Sequence, residues 1–253
     1  FVLIFILLLW VMNNNRPTQE ELAKRKAEQE QAAAAKNPQN NTATAATADL
    51  GAFAYGNAQA TAKDGVTVIE NKDVKLTINN KGGDLKEVLL KQFKTYESMP
   101  VYLIKDKNAI FALNFKTTQG QELNTQQLYF EPSLSQKDGK QLLSMKVKTG
   151  ENSYLEYVYT LPAEGYMVDV AVRSQGLSGV LNSQNPIELV WGLKARRMEK
   201  SVTYENRYTQ SAIRYADDKI NRMSQGGNSG TKEEQVSWVA YKQHLFTSVL
   251  ISD

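Results

Sequence analysis

Val66-Thr67-Val68-Ile69 and Val74-Lys75-Leu76-Thr77-Ile78, then Asn79-Asn80-Lys81-Gly82-Gly83-Asp84, then Leu85 to Phe93, decide the fold class. Apolar and polar side chains alternate with a period of two, so every second residue shares one face of an extended chain. The Asn/Gly cluster between the second and third runs reads as a turn. The pattern continues outward through Val101 to Ile104, Ile110 to Phe115, Leu128 to Phe130, Gln141 to Val147, Tyr154 to Leu161 and Tyr166 to Arg173. Pro162-Ala163-Glu164-Gly165 reads as the hairpin turn between the last two. Ile187 to Leu193 and Val236 to Ile251 complete the series. Short strands at close spacing predict a mainly all-β, antiparallel domain over residues 65–253, with two large facing sheets favoured by its size.

One stretch departs from the pattern. Arg196 to Met223 is charged, with Tyr204, Tyr208, Ile213, Tyr215 and Ile220 interspersed. A helix or an irregular connection fits it better than strand, which predicts a short helical region near the C-terminus. Ser224 to Thr231, with Gly226, Gly227 and Gly230, reads as a loop. The last run stops at Asp253, as it would in a chain cut just before another element.

Upstream of the domain the composition changes twice. Residues 36–64 are rich in Asn, Gln, Thr, Ala and Gly and poor in large aliphatics. Such a stretch cannot offset its ordering entropy by burial, so it reads as a flexible tether with local order at Phe53 and Tyr55. Residues 13–35 read as a polar helix. Pro17 suits a first turn, and Glu20 and Glu21 precede Lys24 and Arg25 by four residues, the favourable orientation for helical ion pairs.

Residues 1–12, FVLIFILLLWVM, carry no charged or polar side chain. They are shorter than the roughly 20 residues that a spanning helix needs. The chain starts at Phe1 without an initiator Met, and residues are expected to precede it. The segment therefore reads as the C-terminal part of a first transmembrane helix. Phe1, Leu3, Phe5 and Leu8 would lie in the apolar layer, and Trp10 at the headgroups, where an indole is favoured. A cleaved signal sequence needs a small-residue cleavage site, and Asn13, Asn14, Asn15, Arg16 and Pro17 follow instead. A buried strand or core helix is the remaining alternative.

The composition excludes much chemistry. Among 253 residues there are 30 Lys+Arg, 27 Asp+Glu, one His and no Cys. A net charge of +3 is too weak to imply a nucleic-acid partner. The absence of Cys removes disulfides, thiolate catalysis, Cys-ligated metal and lipid attachment at a lipoprotein cysteine. A single His removes any His pair for metal binding or an acid–base relay.

No motif restores a catalytic centre. Gly82-Gly83 lacks the frame of a phosphate loop and lies between two strands, so a glycine turn is the better reading. Lys194, Arg196, Arg197 and Lys200 form the densest basic cluster, which could meet acidic lipid or a partner protein. Glu199, Glu205, Asp217 and Asp218 dilute it, and a solvated surface is favoured. Tyr154, Tyr157 and Tyr159 read as packing residues of a strand. His244 would need a distant carboxylate to act as an acid–base pair. Asp73, Asp84, Asp169 and Glu188 have nothing in the sequence to single them out. No catalytic residue, cofactor site or metal site is predicted.

Three stretches carry a resemblance. Gly82-Gly83-Asp84-Leu85-Lys86-Glu87-Val88-Leu89-Leu90-Lys91-Gln92-Phe93-Lys94 looks like a glycine turn and its following strand, and Pro100-Val101-Tyr102-Leu103-Ile104 like the next strand. Trp238 to Ile251 resembles a W-x-A-x-K-x-x-Y/F-F closing strand, with Trp238, Lys242 and Phe246 on the pattern and Leu245 off it. Together they resemble the amino-terminal part of bacterial members of the YidC/Oxa/Alb membrane insertase family. The opening FVLIFILLLWVMNNNRPTQEE is similar to the Bacteroidetes branch.

The resemblance implies a periplasmic β-supersandwich similar to galactose mutarotase. It also implies a cytoplasmic amino terminus, one crossing of the bacterial inner membrane, and the folded domain in the periplasm. It further implies that the whole protein inserts and folds inner-membrane proteins, alone or with the Sec translocon, without covalent chemistry. Its implied partners are inner-membrane lipid, nascent membrane proteins and Sec components, with no nucleic acid. The family's insertase groove, formed by five later helices, would begin beyond Asp253. A scaffold or partner-binding role is therefore expected for this chain. The rival is a carbohydrate-binding or aldose-epimerase-like domain on the same fold, which would use a His with a Glu.

Overall fold

A computed structural model of the chain describes residues 49–59, 61–224 and 230–252. The expectations for Phe1, Leu3, Phe5, Leu8 and Trp10, for the helix over 13–35, for 36–48 of the tether and for most of the Gly226–Gly230 loop lie outside these residues. Among the described residues no helix is long and apolar enough to cross a membrane.

Among the described residues fifteen strands form four sheets, and every pairing between them is antiparallel. The mainly-β expectation therefore holds. The first sheet runs in the order β1 (Val66–Glu70), β2 (Val74–Asn79), β3 (Leu85–Lys94), β4 (Pro100–Ile104). Val74, Leu76 and Ile78 of β2 alternate into the core, as do Val88 and Leu90 of β3. The second sheet pairs β10 (Asp169–Gln175), β9 (Tyr154–Leu161), β8 (Lys140–Lys148) and β7 (Glu131–Lys137). Strands β11 (Glu188–Leu193), β5 (Ala109–Lys116) and β6 (Glu122–Asn124) make the third.

These three sheets share one core. Leu143, Met145 and Val147 of β8 lie opposite Tyr159, Tyr157 and Leu155 of β9, and all six are buried. Tyr157 joins the sheets: its ring stacks on Phe130 at 5.0 Å and meets Phe111 of β5 edge-on at 6.0 Å. Such aromatic pairs contribute about 0.5–1.5 kcal/mol beyond the area they bury.

The turn after β2 is built into this core. Gly82 and Gly83 adopt φ of +92° and +68°, a region open to glycine at little cost. A Cβ at Gly83 would come within 3.0 Å of the Tyr157 ring. The Gly82 N–H donates to Leu128 O at 2.8 Å, and the Tyr159 hydroxyl donates to Gly83 O at 2.7 Å. Asn79 holds the turn's far side, donating from its side chain to Asp84 Oδ1 at 2.8 Å.

The fourth sheet, in the order β13 (Ile220–Ser224), β12 (Gln210–Tyr215), β14 (Val236–Lys242), β15 (Thr247–Ile251), stands apart. Its buried residues Ala212, Ile213 and Ala240 belong to no part of the main core cluster.

Several boundaries differ from the sequence reading. Within 36–64, Gly51–Phe53 forms a 3-10 turn and Ala54–Asn57 a helical turn, α1, with Leu50 and Phe53 buried. Phe53 packs on Phe115 with centroids 5.2 Å apart, so a single aromatic draws a polar stretch into the core. Of Arg196–Met223, only Val202–Asn206 is helical (α2), and the stretch also contains β12 and most of β13. Strand pairing with β14 prevails there over a weak local pattern. Val236–Ile251 is two strands rather than one run, with a turn closed by Gln243 N–H donating to Phe246 O at 2.8 Å. Strand β10 starts at Asp169 rather than Tyr166, and β6 and β7 were not anticipated.

Candidate interaction surface

Along β14, Trp238, Ala240 and Lys242 share one face and Val239 and Tyr241 the other, as the two-residue period requires. Tyr241 turns toward the body of the domain. Its ring lies 4.5 Å from that of Trp191 on β11, and its hydroxyl donates to Trp191 O at 3.3 Å. Trp238 and Lys242 therefore point away from the domain. Across the strands, Trp238 is level with Arg214 and Ile251, and Ala240 with Ala212 and Val249. On β13, Ile220 pairs with Arg214 and Arg222 with Ala212.

The β14–β15 turn is pinned from both sides. Phe246 packs against the main core and meets Phe93 of β3 edge-on at 5.4 Å. Gln243 is buried and donates to Arg196 O at 2.6 Å and to Glu205 Oε1 at 3.4 Å. Glu205, on α2, is 4% exposed. Its carboxylate also accepts from the N–H groups of Met198 at 3.1 Å and Glu199 at 3.4 Å. A buried carboxylate is tolerated where several donors converge on it. Ser201 caps α2, its hydroxyl accepting from Tyr204 N–H at 3.2 Å.

Outside this hub lies an aromatic group. Tyr208 lies 4.5 Å from the His244 ring, Tyr204 meets His244 edge-on at 5.2 Å, and both tyrosines are exposed. His244 Nδ1 is 3.0 Å from Glu199 Oε1. Lys242 Nζ reaches Tyr208 O at 3.5 Å and lies 5.8 Å from its ring centroid. The Tyr204 hydroxyl is held above its ordinary value, first by its hydrogen bond with Tyr208.

The family-pattern residues thus divide. Gly82 and Gly83 form the core turn. Pro100 is exposed at the head of β4 and lines a groove of about 430 Å³ with Tyr96, Met99 and Arg197. Phe246 anchors the hairpin, while Trp238 and Lys242 face outward from it. The basic cluster is tied down in part. Arg196 donates to Lys105 O and Asp106 Oδ2, at 3.0 and 2.9 Å. Arg197 donates to the carbonyls of Glu199 and Lys200, and its guanidinium lies over the Tyr96 ring.

Three of the four carboxylates considered from sequence have separate partners. Asp73 accepts from Gln92 and from Gly165 N–H, both at 2.6 Å, and Glu188 from Asn114 at 3.0 Å. Burial raises the Asp84 carboxyl above its usual range. Asp169 is exposed on β10. Among the described residues no cluster of three metal-ligating groups occurs. A wider open groove of about 780 Å³ runs along β5, β6 and β11, past Asn114, Lys116, Glu122 and Glu188.

Glu199, Glu205 and Gln243 were not singled out from sequence as partners of His244 or of the closing hairpin. Glu205 and Gln243 lie 38 residues apart in the chain, and Glu199 and His244 45, so no local spacing connects either pair. The local signal that could mark the start of α2 is Ser201, a cap-type residue before Val202.

The family described as YidC periplasmic domain matches residues 66–253. The chain is 31% identical over 193 residues to a Bacteroides fragilis protein named membrane protein insertase YidC, covering 76% of this chain and 31% of that one. Proteins of the same name from Porphyromonas gingivalis (32% over 188 residues) and Parabacteroides distasonis (33% over 201) are similar to 73% and 78% of this chain. The chain spans about a third of the length of these curated relatives.

Proposed function

The chain belongs to the YidC periplasmic domain family, and from that premise we propose that it is the anchor and periplasmic domain of a bacterial membrane protein insertase. The observation that carries the reading is the family match over residues 66–253, which takes in all fifteen strands. In this reading residues 1–12 end a first inner-membrane crossing, and residues 13–35 form a polar helix beside the bilayer. The attachment continues to about Asp49, and the β domain is held in the periplasm. There it serves as a scaffold or docking surface while the rest of the protein inserts and folds membrane proteins, alone or with the Sec translocon. No covalent step is assigned to it. The local pairing of its carboxylates supports a role by contact.

Protease added to intact inverted inner-membrane vesicles tests the topology. The β domain is expected to survive until detergent opens the vesicles. Its digestion in intact vesicles would overturn the periplasmic assignment.

The His244–Glu199 pair supports a second reading, an aldose-epimerase-like domain. That reading is measurable by polarimetry of a freshly dissolved aldose. The expected rate is the uncatalysed one. A faster rate that disappears in His244→Ala would replace the docking role with catalysis.

A further inference from the structure

The outward face of the fourth sheet has the composition of a surface made for a bilayer interface. Ile220, Val249 and Ile251 are 43%, 43% and 47% exposed, although each sits in a regular strand where a buried aliphatic would be expected. Trp238 lies among them, half-buried, with Ala212 and Ala240 covered beside it. The titratable groups placed on this face by strand register are Arg214, Arg222 and Lys242, and none is acidic. Three carboxylates lie at its edge and all are answered: Glu233, ahead of β14, is taken up by Thr231 at 2.5 Å and by Tyr215, and the other two lie in the β12–β13 turn. Asp218 accepts from Arg214 at 2.5 Å, and Lys219 holds Asp217 at 2.7 Å, which pulls that carboxyl below its usual range. At the opposite edge Lys242 leads to Tyr208 and Tyr204, and Leu245 at the hairpin tip is 67% exposed.

Indole and phenol rings beside aliphatics, framed by Arg and Lys, match the three layers of an anionic membrane surface. Aliphatic side chains enter the acyl boundary, aromatic rings sit among the headgroups, and cations meet phosphate. A protein partner with an acidic face would answer the cations but not the aliphatics in the same plane. We propose that this face docks on the anionic lipid bilayer to which the chain is anchored, laying the fourth sheet against the membrane and turning the main core away from it. The inference rests on the membrane-anchored reading above and deepens it by assigning the surface of contact.

The absence of cysteine makes the test direct. The whole chain carrying Val249→Cys with an environment-sensitive fluorophore is reconstituted into phosphatidylcholine vesicles with or without phosphatidylglycerol. Ser135→Cys on β7 serves as the distant reporter. The label at 249 is expected to shift to shorter wavelength only with phosphatidylglycerol, while the label at 135 stays in water. Arg222→Gln, an exposed change that leaves the pairing of β13 intact, should lower the ratio of docked to undocked domain about fivefold, as expected for one basic residue at such a surface. High salt should act in the same direction. A label at 249 that stays in water with phosphatidylglycerol, or shifts equally with phosphatidylcholine alone, overturns the docking. So does an equal shift at 135. Flotation of the same samples separates the two readings. A chain that floats with the vesicles while label 249 remains in water loses only the docking face, whereas a chain extended through its complete first crossing that does not float loses the anchor as well.

Discussion

Tyr157 and Tyr159 sit two residues apart on β9 and face the same core, yet their hydroxyls meet opposite circumstances. The Tyr159 hydroxyl donates to Gly83 O, whereas that of Tyr157 is buried without a partner among the described residues. Removing a paired hydroxyl strands its acceptor, and removing an unpaired one relieves a desolvation cost. Tyr159→Phe is therefore expected to destabilise the domain by about 1–3 kcal/mol, and Tyr157→Phe to be neutral or stabilising by about 1 kcal/mol, in urea unfolding at pH 7. The same burial sets an alkaline limit. It pushes Tyr157 from 10.0 up to about 12 and raises Tyr159 too. Below pH 10 both states keep the proton. Above it the unfolded chain ionises first, so stability falls as pH rises from 10 to 12. Tyr157 alone should remove roughly 2–3 kcal/mol across that window. A denaturation midpoint that stays flat from pH 9 to 12 would contradict this burial.

Two short elements carry more than their length suggests. The 3-10 turn and α1 together span Gly51–Asn57, and their one large buried side chain is Phe53, fully buried against Phe115. Phe53→Ala should cost about 3–5 kcal/mol, the usual range for emptying such a site. A loss below about 1 kcal/mol would return these residues to the tether. Helix α2 is five residues long and is held by Glu205, which gathers donors from residues 198, 199 and 243. Glu205→Ala leaves the buried Met198 N–H unpaired, at about 1–3 kcal/mol, while Gln243 keeps its bond to Arg196 O. Hydrogen exchange should then quicken at the Gln243–Phe246 turn before it does in β8 and β9. Equal acceleration in both places would mean that α2 supports the whole core rather than the hairpin.

Across the whole molecule, strands with clean alternation and bounded turns, such as β2 with its Asn79–Asp84 turn, were legible because burial on one face imposes a period of two. The antiparallel, mainly-β class followed from their number and spacing. The absence of Cys and the single His exclude thiolate and His-pair chemistry from composition alone. The Trp238–Phe246 pattern was legible as a family feature, but not the opposite directions in which Trp238 and Phe246 point. That split depends on a turn at Gln243–Phe246, which a run of aliphatic and aromatic residues conceals. The placement of Phe53 in the core, the pairing of β12 with β14, and the meeting of Glu205, Gln243, Glu199 and His244 were decided by tertiary structure alone. Each is a contact between residues far apart in the chain, and its energy comes from burial and convergent hydrogen bonds that no local window contains. The sequence by itself determined that the cleanly alternating segments, such as β2 and β3, are extended and which chemistries are impossible, since these follow from side-chain type and period. Only the fold decided which faces are covered and which remain open to a partner, since coverage depends on what another segment brings.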